Sequence, residues 1–243
     1  MRTFATLTAA ALLLFGPLCG CETMNELGLG SQLTDTSAGG PDTATIAQGL
    51  REALQVGAQR AVETASQEDA YSENPALRIQ LPDKLQKMGD VLKTVGMGNQ
   101  VETLEKKMNQ AAADAAKQAG PVFTDAIKNI TFADAKEILT GGKTAATNYL
   151  REKTYGQLKQ KYLPVVEKRL EEAGVVNLYN QLHDRYKSVP LAPAVDFEPK
   201  EYVTGKSLDG LFSLLASEEQ KIRENPAART TELLRTVFGG QQQ

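Results

Sequence analysis

Apolar residues recur at every third or fourth position through most of the chain, which is the spacing of amphipathic helices. Prolines, glycines and capping residues interrupt this spacing and mark the expected helix ends. The first helix is predicted over residues 43–66, with Ile46, Leu50 and Leu54 on its apolar face. The same reasoning predicts helices over residues 82–95, 99–118, 121–130, 131–140, 144–154, 155–173, 175–187, 200–223 and 226–238.

This succession of helices predicts an all-α fold. We expect residues 43–240 to form one domain, a multi-helix bundle of orthogonal or irregular arrangement. Alanine-rich runs and the scarcity of alternating β-branched segments favour the same fold class. A polar connection is expected at residues 66–73, a proline-containing linker at residues 188–199, and a frayed tail at residues 241–243.

One short stretch departs from helical spacing. At residues 77–81 the apolar side chains Leu77, Ile79 and Leu81 alternate with polar ones. Alternation is the period of extended backbone, and Pro82 favours extended geometry in the residue before it. The pattern therefore predicts a short extended segment that lies on the helices near residues 77–81.

Residues 131–154 combine a capped helix, a glycine pair and a second helix that carries many polar groups. Thr131 followed three residues later by Asp134 predicts a capping box. The glycines at positions 141 and 142 are expected to end the helix in left-handed backbone. Pro164 lies inside the helix predicted farther along, so we expect a kink or a fresh helix start there.

The loop between these two helices ends like a phosphate-binding loop, since GKT occupies residues 142–144. That motif requires a glycine where this chain has Glu137, and it follows a strand rather than a helix. Nucleotide binding at this loop is therefore not expected. The remaining interpretation is a helical corner whose polar side chains satisfy neighbouring backbone groups.

The amino terminus has the features of an export signal. Residues 1–20 carry one charge, Arg2, and an apolar run that ends at Leu18. This run is about 15 residues long, shorter than the roughly 20 residues that a spanning helix needs. We therefore expect residues 1–20 to be a signal peptide that is removed.

The sequence LCGC at residues 18–21 resembles a bacterial lipobox. The resemblance implies cleavage before Cys21 and lipidation of its thiol, which would attach the protein to a membrane. The alternative is an ordinary secreted protein that is cut near the same place. Glu22 follows the cysteine and favours the outer membrane over the inner one. Residues 22–42 are polar and glycine-containing, as expected of a flexible tether.

Composition narrows the classes of function. The net charge of −3 gives no basic footprint, so nucleic acid is not an expected partner. Cys19 and Cys21 are the two cysteines, and neither would remain as a free thiol in the mature domain. A disulfide framework is therefore excluded, and the domain must rely on its core.

Few side chains in the sequence suggest catalysis. His183 is the single histidine, and without a second histidine or a thiol we expect it at the surface or the edge of the core. No spacing typical of a metal site or a nucleophilic catalyst occurs, so we predict no catalytic residue, no metal and no cofactor. The adjacent carboxylate pairs 171–172 and 218–219 diverge around a helix and are expected to be solvated.

Four stretches together resemble the bacterial domain-of-unknown-function family 4197. They are NPALRIQLP at residues 74–82, DAKEILTGGKTAATNYLREKT at 134–154, GKSLDGLF at 205–212 and EEQKIRENPAARTTELLRTVF at 218–238. The similarity covers roughly residues 49–239. It implies an exported, lipobox-bearing protein of a Gram-negative bacterium, and it implies no activity.

A set of polar and basic side chains recurs in these family-like stretches. Together they would form an anion-binding groove, or else salt bridges and helix-end contacts with Glu137, Glu152, Asp209 and Glu224. The candidate set is Arg78, Asn148, Tyr149, Arg151, Lys153, Lys206, Arg223 and Arg229.

Three functions remain open from the sequence. The leading one is a non-enzymatic, lipid-anchored periplasmic module that binds another envelope protein or serves as an adaptor. The second is a carrier or sensor of a small amphipathic or anionic ligand held near Tyr149 and Arg151. The third is a hydrolase that uses carboxylates alone, which no spacing here predicts. The oligomeric state is not indicated.

Overall fold

The computed structural model describes residues 43–189 and 197–224. In these ranges every regular element is an α-helix, so the predicted all-α fold is confirmed. The predicted signal peptide, Cys21, the predicted tether, and the predicted helix 226–238 with Arg229 lie outside the described residues. The elements are α1 (Thr43–Ala65), α2 (Ala70–Glu73), α3 (Asp83–Thr94), α4 (Gly98–Ala116), α5 (Ala119–Lys128), α6 (Phe132–Thr140), α7 (Ala145–Glu172), α8 (Val175–Lys187) and α9 (Pro199–Glu224).

Helix α9 lies at the centre of the bundle, where it packs against α1, α4 and α7. The buried face of α9 includes Leu208, Leu211, Phe212 and Leu215, whose spacing repeats every three or four residues. Phe212 meets the ring of Phe123 from α5 edge to face, at 5.8 Å between centroids. A small residue, Gly57, lets α1 approach the same helix closely. The core is therefore built around α9.

The predicted break between residues 154 and 155 is wrong, because α7 runs without interruption from Ala145 to Glu172. Its buried side chains include Leu150, Thr154, Leu158 and Tyr162 at four-residue steps. These side chains form one continuous stripe against the core, and its burial offsets the cost of the glycine and the proline in the helix. Pro164 is thus an interior residue of α7 rather than a new helix start.

Along the predicted extended segment at residues 77–81 the side chains alternate as expected, with the odd-numbered ones buried and Arg78 and Gln80 exposed. Leu77 belongs to a turn, in which its N–H donates to the Asn74 carbonyl at 2.9 Å, and residues 78–82 form no regular element. From Ile79 to Leu81 the backbone pairs with side chains rather than with another strand. Asn109 of α4 accepts from the Ile79 N–H at 2.8 Å and donates to the Ile79 carbonyl at 2.9 Å. The Tyr202 hydroxyl donates to the Gln80 carbonyl at 2.8 Å. One amide side chain therefore supplies both bonds that a neighbouring strand would supply.

The polar connection predicted at residues 66–73 contains an element that the pattern did not indicate. Its last four residues form the single turn α2, and Tyr71 within it is fully buried. The Tyr71 hydroxyl donates to the carbonyl of Ser207 on α9 at 2.8 Å. Gly210 makes room for this ring, because a Cβ there would lie 2.9 Å from Tyr71 Cε1. The connection therefore inserts an aromatic anchor into the core.

Candidate functional site

The candidate site is the corner where α6, the start of α7 and the end of α9 meet. Helix α6 begins with the predicted capping box, which is confirmed. The Asp134 N–H donates to Thr131 Oγ1 at 3.2 Å, and the Thr131 N–H donates to Asp134 Oδ2 at 2.9 Å. The Thr131 hydroxyl also donates to Asp134 Oδ2 at 2.6 Å. This bond, followed by the one from the Thr131 N–H, favours the ionised carboxyl and holds the pKa of Asp134 below its ordinary value. The cap fixes the direction in which α6 enters the corner.

The glycine pair ends α6 in a way that differs from the prediction. Gly141 has φ −77° and ψ 176°, which is extended backbone and not the left-handed conformation. The left-handed glycines of the described residues are Gly96 and Gly174. Glycine is needed at position 141 for space, since a Cβ there would lie 2.6 Å from the Cβ of Ala145 and 2.9 Å from the Glu137 carbonyl oxygen. The turn from α6 into α7 is therefore tight.

Backbone N–H groups in the first turn of α7 donate hydrogen bonds to a buried carboxylate, Glu219 of α9. The backbone N–H groups of Ala146 and Thr147 donate to Glu219 Oε1 and Oε2 at 3.0 and 2.8 Å. The Thr147 hydroxyl donates to Oε2 at 2.8 Å. The amino end of a helix carries unpaired N–H groups and partial positive charge, so a carboxylate is a favourable partner there. Glu219 therefore caps α7 from another helix.

Arg223 completes the pairing of this carboxylate. Its Nε donates to Glu219 Oε1 at 3.0 Å, and its Nη2 donates to the Ile138 carbonyl of α6 at 2.9 Å. With these bonds Glu219 accepts four donors, which is about the number that a carboxylate accommodates. One ion pair thus joins α6, α7 and α9. We call these residues, Glu219, Arg223, Ala146, Thr147 and the Ile138 carbonyl, the Glu219 site.

A second ion pair lies farther along the same two helices. Arg151 of α7 pairs with Asp209 of α9, and both side chains are about half exposed. The guanidinium also lies 5.5 Å from the ring centroid of Tyr155 and 5.1 Å from that of Phe212. A cation over aromatic faces is favourable and is positioned by them. Arg151 therefore covers the edge of the core and fastens α7 to α9.

On the outer side of the corner, α6 and α7 enclose a groove of about 450 Å³. Its charged side chains are mostly acidic. Burial, followed by the nearby charge of Asp134, raises the pKa of Tyr149 in this groove above its ordinary value. Lys153 lies 5.6 Å from the centroid of the Tyr149 ring. We call this groove the α6–α7 groove. Its lining residues are Asp134, Glu137, Ile138, Gly141, Ala145, Asn148, Tyr149, Glu152 and Lys153.

A known protein family matches most of this chain. A family model described as "Protein of unknown function (DUF4197)" matches residues 40–239. The chain belongs to the DUF4197 family. No curated protein and no solved structure matches it. Two of the stretches through which the sequence resembles this family, residues 134–154 and 218–224, meet at the helical corner.

The eight candidate side chains of the DUF4197 domain fall into separate settings. Asn148, Tyr149 and Lys153 share the α6–α7 groove. Arg151 pairs with Asp209, and Arg223 pairs with Glu219.

The other candidates lie elsewhere. Arg78 pairs with Glu105 of α4 at 3.2 Å. Lys206 lies 5.9 Å from the ring centroid of Tyr202, the residue that binds the extended segment. Arg229 lies outside the described residues.

Glu219 is the central residue that sequence reasoning missed. The pair 218–219 was predicted to be solvated, yet the Glu218 side chain is only 13% exposed and the residue exposure of Glu219 is 7%. The prediction failed because it considered only that the two glutamates are neighbours in sequence, and not which face of the helix each occupies. Glu219 lies four residues after Leu215 and three before Ile222, on the buried face of α9. A carboxylate in the middle of an apolar stripe was the available indication. The pair at 171–172 is exposed, as predicted.

His183 stacks on the ring of Tyr179, at 5.5 Å between centroids, and is partly buried. This is the predicted position at the edge of the core. Within residues 43–189 and 197–224, no group of three or more histidine, cysteine, aspartate and glutamate side chains is placed to hold a metal ion. The same ranges contain no helix with both the length and the apolar character that crossing a membrane requires.

The interior beside the Glu219 site is nearly filled. A space of about 20 Å³ remains between α1, the start of α7 and the end of α9, enough for about one water molecule. Its walls are mainly apolar and include Leu50, Leu54 and Ile222. The polar groups of the site therefore bind each other across a packed core.

Proposed function

We propose that this DUF4197 protein is a lipid-anchored helical module of the cell envelope that works by binding another envelope protein. The amino-terminal sequence supplies the anchor, since residues 18–21 place Cys21 at the end of an export signal. Acylation at Cys21 would hold the domain beside a membrane, and residues 22–42 would let it stand away from the surface. Glu22 favours the outer membrane as the destination.

One observation carries the binding role: the polar side chains of the family-like stretches are used to hold the helices together. Glu219 accepts four hydrogen bonds from α7 and Arg223, and Arg151 pairs with Asp209. These groups therefore stabilise a rigid surface and have little capacity left for a reacting molecule. A rigid surface on a tether is suited to docking.

The anchor is tested by labelling the full chain with a radioactive fatty acid in a Gram-negative host. We expect label on the wild type, and release from the membrane fraction for Cys21→Ser. Cys19→Ser is the matched control, because it changes the neighbouring cysteine and leaves the acylated one in place. An unlabelled mature protein that starts at another residue would overturn the anchor.

The binding role is tested by placing a photo-crosslinking amino acid at each exposed large apolar position of the described residues: Val95, Phe132 and Val176, which are 60%, 44% and 45% exposed. Exposed apolar side chains are the usual centres of docking surfaces. We expect one adduct of defined mass from at least one position in the native envelope. Absence of a protein adduct, together with a small molecule that copurifies with the protein, would favour a ligand carrier instead.

A further inference from the structure

The α6–α7 groove has a chemical character that the proposed function does not use. Asp134, Glu137 and Glu152 line it, against one cation, Lys153. Its floor is partly apolar, with Ile138, Ala145 and the ring of Tyr149. This combination favours a basic and amphipathic segment as occupant.

The described part of α9 ends beside this groove. Arg223 donates to the carbonyl of Ile138, which is a lining residue. Glu224, the next residue, pairs with Lys143 in the α6–α7 loop at 2.7 Å. Gly141 and Ala145, on either side of Lys143, both line the groove. The chain that follows residue 224 therefore starts at the rim of the groove.

That following chain has the matching chemistry in its sequence. Residues 225–238 contain Arg229 and Arg235 against one glutamate. They also contain apolar residues at 233, 234, 237 and 238, the spacing of one helix face. Thirteen residues of helix would be about 20 Å long, and the nine residues of α6 about 14 Å, by the rise of 1.5 Å per residue. The segment is long enough to cover the groove.

We propose that residues 225–238 fold back onto the α6–α7 groove of their own chain, with Arg229 and Arg235 opposite Glu137 and Glu152. The apolar face of the segment covers the groove floor. This goes beyond the proposed function, because it assigns an internal occupant to the groove. The segment would also compete with any partner protein that docks on the same face.

Amide hydrogen exchange on the full chain, purified in detergent, tests this docking. The comparison uses the wild type, the groove variant Glu137→Lys/Glu152→Lys, and the control variant Glu102→Lys/Glu171→Lys. The control changes the same charges at two exposed glutamates outside the groove. We expect protected amides at residues 227–238 in the wild type and the control. In the groove variant their exchange should be about three- to tenfold faster, the effect of losing one or two exposed ion pairs.

Charge exchange provides the second arm. Arg229→Glu/Arg235→Glu alone should accelerate exchange of the segment by a similar factor, and its combination with the groove variant should restore protection. Exchange of α6 and α9 in the same samples shows that the domain stays folded.

Three results would overturn the proposal. They are an unprotected segment in the wild type, protection that the groove variant leaves unchanged, and protection that rises with protein concentration. The last result would indicate docking on a second copy of the chain.

Discussion

Two buried tyrosines differ in the hydrogen bonding of their hydroxyl groups. Tyr71 and Tyr162 are both fully buried, and the Tyr71 hydroxyl donates to the Ser207 carbonyl. The Tyr162 hydroxyl has no hydrogen-bond partner within the described residues. A buried hydroxyl without a partner costs free energy, whereas a paired one contributes. The two rings thus provide a matched pair of substitutions.

We expect Tyr162→Phe to leave the free energy of unfolding unchanged or to raise it by up to about 1 kcal/mol. Tyr71→Phe should lower it by about 1–2 kcal/mol, because the Ser207 carbonyl loses a donor. Urea unfolding monitored by circular dichroism measures both, with equal m-values as the check that the denatured state is unchanged. Equal losses for the two variants would show that the Tyr162 hydroxyl is satisfied, for example by a buried water.

Gly141 supplies a second test at the scale of one residue. Gly141→Ala should destabilise the domain by about 1–3 kcal/mol, since the new methyl group would collide with Ala145 and the Glu137 carbonyl. Gly142→Ala is the control, because a Cβ there meets no atom within 4 Å. Its effect should stay within about 0.5 kcal/mol. Thermal unfolding of the two variants gives the comparison, and a larger loss at position 142 would contradict the tight turn.

At the scale of the elements, the ion pair of the Glu219 site should hold α6, α7 and α9 together. Glu219→Ala leaves Arg223 and two helix N–H groups without their partner, so we expect a loss of about 3 kcal/mol. Glu224→Ala removes an exposed pair with Lys143, which water screens, and should leave the free energy of unfolding unchanged within error. Chemical denaturation measures both. Similar small losses would mean that water replaces the buried carboxylate.

Most elements could be predicted from the sequence because apolar spacing and helix ends agreed. Helices α1, α3, α4, α8 and α9 have the expected positions, with ends that shift by one or two residues. The division of α7 between residues 154 and 155 was predicted wrongly, because the stripe that contains Leu150 and Tyr162 extends over the whole helix and is buried as one face. Local propensity is a weak prior when a long face can be buried.

The candidate site could be predicted in part. The Thr131 capping box is a local pattern, so spacing revealed it. The Glu219 site joins residues more than 70 positions apart, and no local pattern states which helix a carboxylate will meet. Tyr71 was missed for the same reason, since its burial depends on the space that Gly210 leaves on α9. Tertiary pairing of this kind depends on the fold as a whole.

At the scale of the whole molecule, the buried tyrosines predict alkaline unfolding. Burial raises the pKa of Tyr71 to about 12 and the pKa of Tyr162 well above its ordinary value. Below about pH 10 both states keep these phenols protonated, and stability does not depend on them. Above it the unfolded chain loses protons that the folded chain retains, so stability falls as pH rises toward the folded pKa.

We expect each buried tyrosine to lower the free energy of unfolding by up to about 1.4 kcal/mol per pH unit above pH 10. Denaturant unfolding at several alkaline pH values, with ultraviolet absorbance of tyrosinate, measures the slope and the ionisation together. Tyr71→Phe/Tyr162→Phe is the control and should have a shallower slope. A double variant with an unchanged slope would place the responsible groups elsewhere.

The contact between α1 and α9 has a consequence for synthesis. These are the first and last helices of the described residues, and Gly57 of α1 lies against Glu218 and Ile222 of α9. A ribosome makes the chain from the amino end, so α1 emerges long before the helix that covers it. Until α9 has been synthesised, the apolar face of α1 is exposed and prone to aggregation. A nascent chain of this kind should depend on a holding chaperone until its last third has appeared.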